Sequence, residues 1–225
     1  GKGGRASVSA TAATALMLVA TLAGARPAVT RPDATALPTP ATNFVSSGSG
    51  SHSTVGNAMT VNQTTNTLGL NWSNFNIGSA ASVTFNQPNA QSRVLNRIGD
   101  TNPSIIMGQL NANGQVYLIN PNGILFGNGA QVNVGGLVAS ALSVSDDLLN
   151  KGLPGVAGDK LSFAWDGDAL GFANGFVAVD PGARITTASG SRVVLLAPKT
   201  VENLGLIETG AGGEAILAAG GSVLL

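Results

Sequence analysis

Apolar residues along this chain come in short runs rather than in a helical stripe. From Ala58 onward, runs of Val, Ile, Leu, Phe and Thr alternate with clusters of Gly, Asn and Pro. Short apolar segments bounded by turn formers are the pattern of β-strands. The pattern predicts strands near residues 58–61, 67–72, 82–86, 115–119, 131–134 and 137–143. No stretch after residue 26 sustains a helical period. Residues 144–170 differ in character. Asp146-Asp147-Leu148-Leu149-Asn150 fits one helical turn, and acidic residues gather from there through Trp165 to Asp168. These residues read as an excursion from an otherwise regular array.

Beyond the excursion the pattern repeats. Ile185 recurs as Ile207, Gly190 as Gly212, Val194 and Leu195 as Ile216 and Leu217, and Ala197 as Ala219. Each match is shifted by 22 residues. A fixed period in this range is the signature of a repeat array. Strands fill these repeats, so the expected fold is all-β: a parallel β-helix whose coils stack about 4.8 Å apart with like residues in ladders. Ile185 should then lie over Ile207, and Val194 over Ile216.

Turn chemistry is densest in residues 115–142, which read QVYLINPNGILFGNGAQVNVGGLVASAL. At the centre stands Asn120-Pro121-Asn122-Gly123-Ile124. Pro121 presets φ for the second turn position, while Asn122 and Gly123 tolerate positive φ. An Asn side chain can also bond nearby backbone, so that a turn sits close to a packed core.

This stretch resembles the amino-terminal secretion domain of two-partner-secretion exoproteins, of the filamentous haemagglutinin and high-molecular-weight adhesin type. The resemblance runs through an ordered series. It includes Leu70-Asn71-Trp72-Ser73-Asn74-Phe75-Asn76-Ile77-Gly78, then Val83-Thr84-Phe85-Asn86-Gln87-Pro88, then Leu95-Asn96-Arg97-Ile98 and Pro103-Ser104-Ile105. Asn113-Gly114-Gln115-Val116 and Gly136-Leu137-Val138-Ala139-Ser140 complete it. It covers residues 37–143 densely and the rest loosely. It implies a right-handed β-helix with an amino-terminal β cap. It also implies secretion through the periplasm to the bacterial surface, and a partner outer-membrane transporter whose periplasmic domains bind the exoprotein. The secretion motif falls on residues 120–124. The filamentous haemagglutinin branch carries a second, earlier N-P-N-L element; the nearest counterpart here is Asn102-Pro103-Ser104-Ile105, a departure that points to the high-molecular-weight adhesin branch. Asn71, Trp72, Phe75, Ile77 and Phe85 are expected in the ladders and core. Two readings stand for the many Asn residues beside apolar ones: a surface for the transporter, or hydrogen-bonded ladders and turn supports.

Composition narrows the picture. The chain has 225 residues, of which 10% are charged and 4% aromatic, with net charge zero. Ordinary soluble domains carry roughly a quarter charged residues. The charge balance offers no electrostatic case for nucleic acid. A solenoid needs few large side chains, because its core is a thin stack of aliphatic ladders. Cysteine is absent, which removes disulfides, thiolate catalysis and Cys-ligated metal.

Three segments follow. Lys2 and Arg5 precede a run of small and apolar residues ending in Ala23-Gly24-Ala25. This is the pattern of a secretory signal with its cleavage site, so residues 1–25 are expected to be the tail of an extended signal peptide. Residues 26–57 hold Pro27, Pro32, Pro38 and Pro40 and a Gly/Ser patch at 46–53; we expect a flexible lead-in there, with the cap starting near Leu37. Residues 58–225 are the β-helix, with the excursion at about 144–170.

Candidate chemistry is sparse. The only histidine, His52, lies in the Gly/Ser patch and reads as a solvated loop residue. One His without Cys makes neither a His-rich metal site nor a Ser–His–Asp triad. Asp166, Asp168 and Asp180 form the best carboxylate group, and a glycosidase would need two of them facing one groove within roughly 5–9.5 Å. A solvated turn explains them as well. No cofactor or metal site is legible. The reading is a secretion domain at the front of a large adhesin. The alternatives are the front of a contact-dependent growth-inhibition toxin and, remotely, a polysaccharide-cleaving enzyme.

Overall fold

A computed structural model describes residues 5–9, 14–16, 26–153, 161–166 and 175–225. Two short strands come first, β1 (Arg5–Ser9) and β2 (Thr14–Leu16), followed by the cap strands β3 (Thr39–Ser47) and β4 (Gly50–Val55). The coils start with β5 (Ala58–Gln63) and β6 (Thr67–Asn74), then β7 (Ser82–Asn86), β8 (Arg93–Ile98) and β9 (Ser104–Ile106). They continue with β10 (Gln109–Ala112), β11 (Gln115–Ile119) and β12 (Ile124–Phe126), then β13 (Gln131–Val134) and β14 (Gly136–Ser140). The excursion holds β15 (Ser143–Val144), α1 (Asp147–Lys151) and β16 (Ser162–Ala164). The array resumes with β17 (Phe176–Val179), β18 (Arg184–Thr187), β19 (Arg192–Ala197) and β20 (Thr200–Asn203), and closes with β21 (Leu206–Thr209), β22 (Glu214–Ala219) and β23 (Ser222–Leu224).

These strands stack into three parallel sheets, making a β-solenoid of about 6 turns. Sheet A runs β22-β19-β14-β11-β8-β6, sheet B runs β21-β18-β13-β10-β7-β5, and sheet C runs β20-β17-β12-β9. The 22-residue period translates directly into register: Ile185 pairs with Ile207, and Val194 with Ile216. Within sheet B, Met59, Val83, Leu110, Val132, Ile185 and Ile207 occupy one inward column. Phe75, Ile77 and Phe85 are buried in the same core. Val194 and Ile216 pack elsewhere, on the outer face of sheet A, where Leu148, Leu149 and Phe163 of the excursion cover them together with Tyr117 and Val138. The excursion therefore closes a second apolar core against the solenoid.

Within residues 58–143, four strands were not anticipated by periodicity: β8, β9, β10 and β12. β9 and β12 are three residues long, too short for a period to register. β8 points a fully buried Asn96 inward, where alternation calls for an apolar residue. β10 carries one large apolar residue, Leu110.

The lead-in also differs from expectation. The patch at residues 46–53 lies in β3 and β4 rather than in a loop. These strands run antiparallel to β6 and β5 and cover the first coil's exposed edges. Covering an edge satisfies its backbone groups and prevents pairing with another chain. Polar residues on both faces of the patch hide the strand signal, and pairing with β6 and β5 holds it in place. Register shifts around Pro40 mark where the missing N–H interrupts the ladder. Upstream, Arg26 pairs with Asp180, Val29 packs on the outer face of sheet C, and the carbonyls of Ala34 and Ala36 accept from Ala80 and Gly78. The lead-in is thus a strap along sheet C. Within residues 1–25, β1 and β2 pair antiparallel with β22 and β21; Ala23-Gly24-Ala25 and the rest of that segment lie outside the described residues.

Candidate secretion-motif corner

The two N-P elements prove to be one corner of the solenoid, repeated in consecutive coils. β12 follows Asn120-Pro121-Asn122-Gly123, and β9 follows Asn102-Pro103. The strands pair so that Ile124 lies beside Ser104 and Leu125 beside Ile105. The Gly123 N–H donates to the Asn120 carbonyl at 2.9 Å, closing the turn. Inside it, Asn120 Oδ1 accepts from the Asn122 N–H at 3.0 Å. This side chain mimics a turn backbone, as Asn does in loops.

Asn120 is completely buried. Its Nδ2 reaches the previous coil, donating to the Asn102 carbonyl at 3.1 Å and to Ser104 Oγ at 3.0 Å. Its backbone N–H donates to the Ser140 carbonyl of the next coil. One side chain thus shapes its own turn and joins it to the preceding one, leaving neither amide end unpaired. Asn122 adds a bond from Nδ2 to the Asp100 carbonyl at 2.7 Å. Gly123 has φ of 115°, and a Cβ there would lie 2.8 Å from Phe176 Cδ1 and 2.9 Å from its carbonyl oxygen. Both the conformation and the space demand glycine. Phe176, invisible to motif reading, is the neighbour that enforces this.

Asn102 takes part through its backbone only. Its carbonyl accepts from Asn120, while its side chain is exposed and bonds Asp100 Oδ1 at 3.1 Å. Ser104 is the buried member of that element. Ile105 and Leu125 face outward under Val29 of the strap.

Other asparagines divide between ladders and backbone supports. Asn86 donates to Asn62 at 3.0 Å and Asn133 to Asn111 at 3.3 Å, each one coil apart. Asn71 bonds the Asn43 carbonyl of the cap, Asn74 bonds Thr39 Oγ1, and Asn76 accepts the Ile105 N–H. Asn113 accepts from the Gln87 N–H and donates to its carbonyl. Asn96 accepts from Trp72 Nε1 at 2.9 Å and donates to the Tyr117 carbonyl. Trp72 in turn stacks edge-on between Phe44 of the cap and Phe75, with centroids 4.9 and 5.2 Å away. Gln63 and Gln87, buried and bonded to each other at 3.1 Å, form a polar ladder that periodicity does not reveal.

Asp166 and Asp180 lie on different elements. Asp166 is exposed on the excursion and accepts from Ser143 Oγ at 2.7 Å. Asp180 sits on sheet C in its ion pair with Arg26. Asp168 lies outside the described residues. His52 is a β4 residue whose ring meets Phe44 edge-on at 4.9 Å, so it is not the loop histidine expected. No group of three or more His, Cys, Asp or Glu gathers among the described residues, and no helix there is long and apolar enough to cross a membrane.

Comparison with known proteins agrees with this geometry. The chain is 47% identical over 93 residues to a heme/hemopexin-binding protein of Haemophilus influenzae strain Rd, covering 41% of this chain and 10% of that protein. A second Haemophilus influenzae heme/hemopexin-binding protein is 42% identical over 87 residues, 39% of this chain and 9% of the relative. The chain therefore spans about a tenth of the length of these relatives. The crystal structure of the HMW1 secretion domain from Haemophilus influenzae superposes with a TM-score of 0.54 at 28% identity, covering 69% of this chain and 44% of that one. The sequence pattern of the TPS secretion domain matches residues 34–222, from the lead-in to the last strand, and this chain belongs to that family of two-partner-secretion exoprotein domains.

Proposed function

We propose that this domain is recognised in the periplasm by its partner outer-membrane transporter and nucleates β-helix folding of a large adhesin at the cell surface. The observation that carries the reading is the Asn120 stitch, one buried side chain that completes a turn and joins it to the coil before. An unfolded chain can thread a narrow barrel. Once its first coils fold outside, each later coil adds to an existing edge and contacts only its neighbours. Folding then biases export without another energy source. The covered first coil supports this order, since antiparallel β3 and β4 leave coils to be added on one side only. Strand addition is the recognition mode suited to an extended exoprotein segment.

Heme and hemopexin binding are named for relatives of which the match covers about a tenth, and they form no part of this reading. The carboxylates are structural in this reading, and the domain is not an enzyme. The test is co-expression with the partner transporter, comparing culture supernatant with periplasm for Asn120→Ala and Gly123→Val. Both variants should be retained and degraded in the periplasm, whereas Lys151→Ala should be exported normally. Normal export of both turn variants would refute the reading. An Asp166→Asn, Asp168→Asn, Asp180→Asn triple variant should keep its export, and a polysaccharide-cleaving activity lost in it would show that the domain is an enzyme.

A further inference from the structure

A cleft of about 510 Å³ opens between α1 and the outer face of sheet A, remote from the motif corner. It comes from a break in a side-chain column. Along the outer face, Arg93, Gln115, Gly136 and Arg192 occupy successive coils in register, since Arg93 pairs with Gln115, Gln115 with Gly136, and Leu137 with Val193. Gly136 contributes no side chain, so a gap separates Gln115 from Arg192. Lys151, Gly152 and Leu153 roof it. Clefts of this size are the ordinary scale for small-molecule sites.

Its electrostatics are one-sided. Arg192 is engaged with Glu214 at 3.3 Å and Lys151 with Asp147 at 3.5 Å. Arg93 has no such partner among the described residues. Its Nη1 is buried without a hydrogen-bond acceptor, beneath Gly152, and no carboxylate lies within ion-pair distance of it among the described residues. Arg93 as a whole is half-buried, and this one enclosed donor without an acceptor is costly. Beside it stands the buried phenol of Tyr117, which donates to Gln115 Oε1. Burial pushes the Tyr117 phenol well above its ordinary range, against the opposing pull of the Arg93 charge. The phenol therefore remains a neutral donor at physiological pH and supplies no negative charge to Arg93.

We propose that this cleft binds a small organic carboxylate, with Arg93 as its charge partner and the gap at Gly136 as the space for its body. A guanidinium matches a carboxylate through two parallel N–H bonds. The rest of the wall suits a polar ligand with an apolar face: Gln91, Gln115 and Ser191 offer hydrogen-bonding groups, and Leu153 offers apolar surface. The assignment is independent of the export reading.

Two variants separate charge from space. Arg93→Gln removes the cation and keeps a polar side chain. Gly136→Gln fills the gap; a Cβ there makes only ordinary contacts, 3.5 Å to Gln115 Cγ and 3.6 Å to the Arg192 carbonyl. Isothermal titration calorimetry on the full chain would use D-glucuronate as the probe, with D-glucose and inorganic phosphate as controls. Saturable binding of glucuronate is expected, weakened about tenfold or more by each variant, with thermal melting of both variants close to the parent. D-glucose should not bind, and phosphate should not displace glucuronate at equal concentration. No saturable binding of glucuronate, or binding unchanged in either variant, overturns the proposal. Equal binding of glucose, or displacement by equimolar phosphate, overturns it too, by showing that the cleft does not select a carboxylate.

Discussion

Asn120 and Gly123 show how much a single residue can hold in a thin solenoid. Asn120 bonds Asn122, Asn102 and Ser104 from a fully buried position. Truncation to Ala leaves buried partners unpaired and should cost about 1–3 kcal/mol. Gly123→Val adds backbone strain of about 1–3 kcal/mol and a collision with Phe176. Urea unfolding of purified domains should therefore rank Gly123→Val as the less stable of the two, with Gly123→Ala between it and the parent. Tyr117 offers a cleaner reading, since it is the only tyrosine. Its folded pKa is raised by burial, so the folded state holds the phenolic proton more tightly than the unfolded chain. Stability from this group is complete below the ordinary tyrosine pKa of about 10 and is lost as pH rises above it. Phenolate absorbance should appear together with alkaline unfolding rather than before it, and Tyr117→Phe should remove that component of the pH dependence.

At the scale of elements, stability is shared between neighbouring coils only. Ile207 sits at the end of the inward sheet B column, next to Ile185. Ile207→Ala should cost about 2–5 kcal/mol as a buried truncation, but the loss should stay local. Hydrogen exchange in β18, β19, β21 and β22 should accelerate, while exchange in β5 to β8 keeps its parent rate. Uniform acceleration along the array would contradict nearest-neighbour coupling. The excursion obeys a different rule. Leu148, Leu149 and Phe163 cover apolar residues on the outer face of sheet A, so Phe163→Ser should expose that face and raise aggregation while the inner ladders persist. Light scattering and far-ultraviolet circular dichroism would report the two effects separately.

For the whole molecule, polarity of growth matters most. β3 and β4 cover the first coil, and the parallel register runs from β5 and β6 toward β21 and β22. We expect residues 1–25 to be removed on export, with a mature N-terminus at or after Ala23 by mass spectrometry of secreted material. A secreted chain beginning upstream of Ala23 would refute the signal reading. Without β1 and β2, the edges of β22 and β21 that they cover would be free for pairing by a further strand.

Much of this was legible in the chain itself. The 22-residue match indicated the register of Ile185 with Ile207 and of Val194 with Ile216, because like aliphatic side chains at a fixed period stack into ladders. Asn120 to Gly123 announced a turn with a left-handed residue, because few residues tolerate that backbone. What lay beyond reach depended on contacts between coils. Nothing in Asn102-Pro103-Ser104-Ile105 reveals that it stacks on Asn120, since that pairing exists only once two coils close. Nor could alternation show β3 and β4, whose polar faces carry no signal, or the inward Asn96 and Gln87, whose partners come from other coils. His52 and the carboxylates were ambiguous for the same reason: a titratable side chain acquires its role from neighbours distant in sequence. Period and turn chemistry are local and were written in the residue order; polar pairing across coils, the second core under the excursion and the cleft at Gly136 are long-range, and only the folded stack decides them.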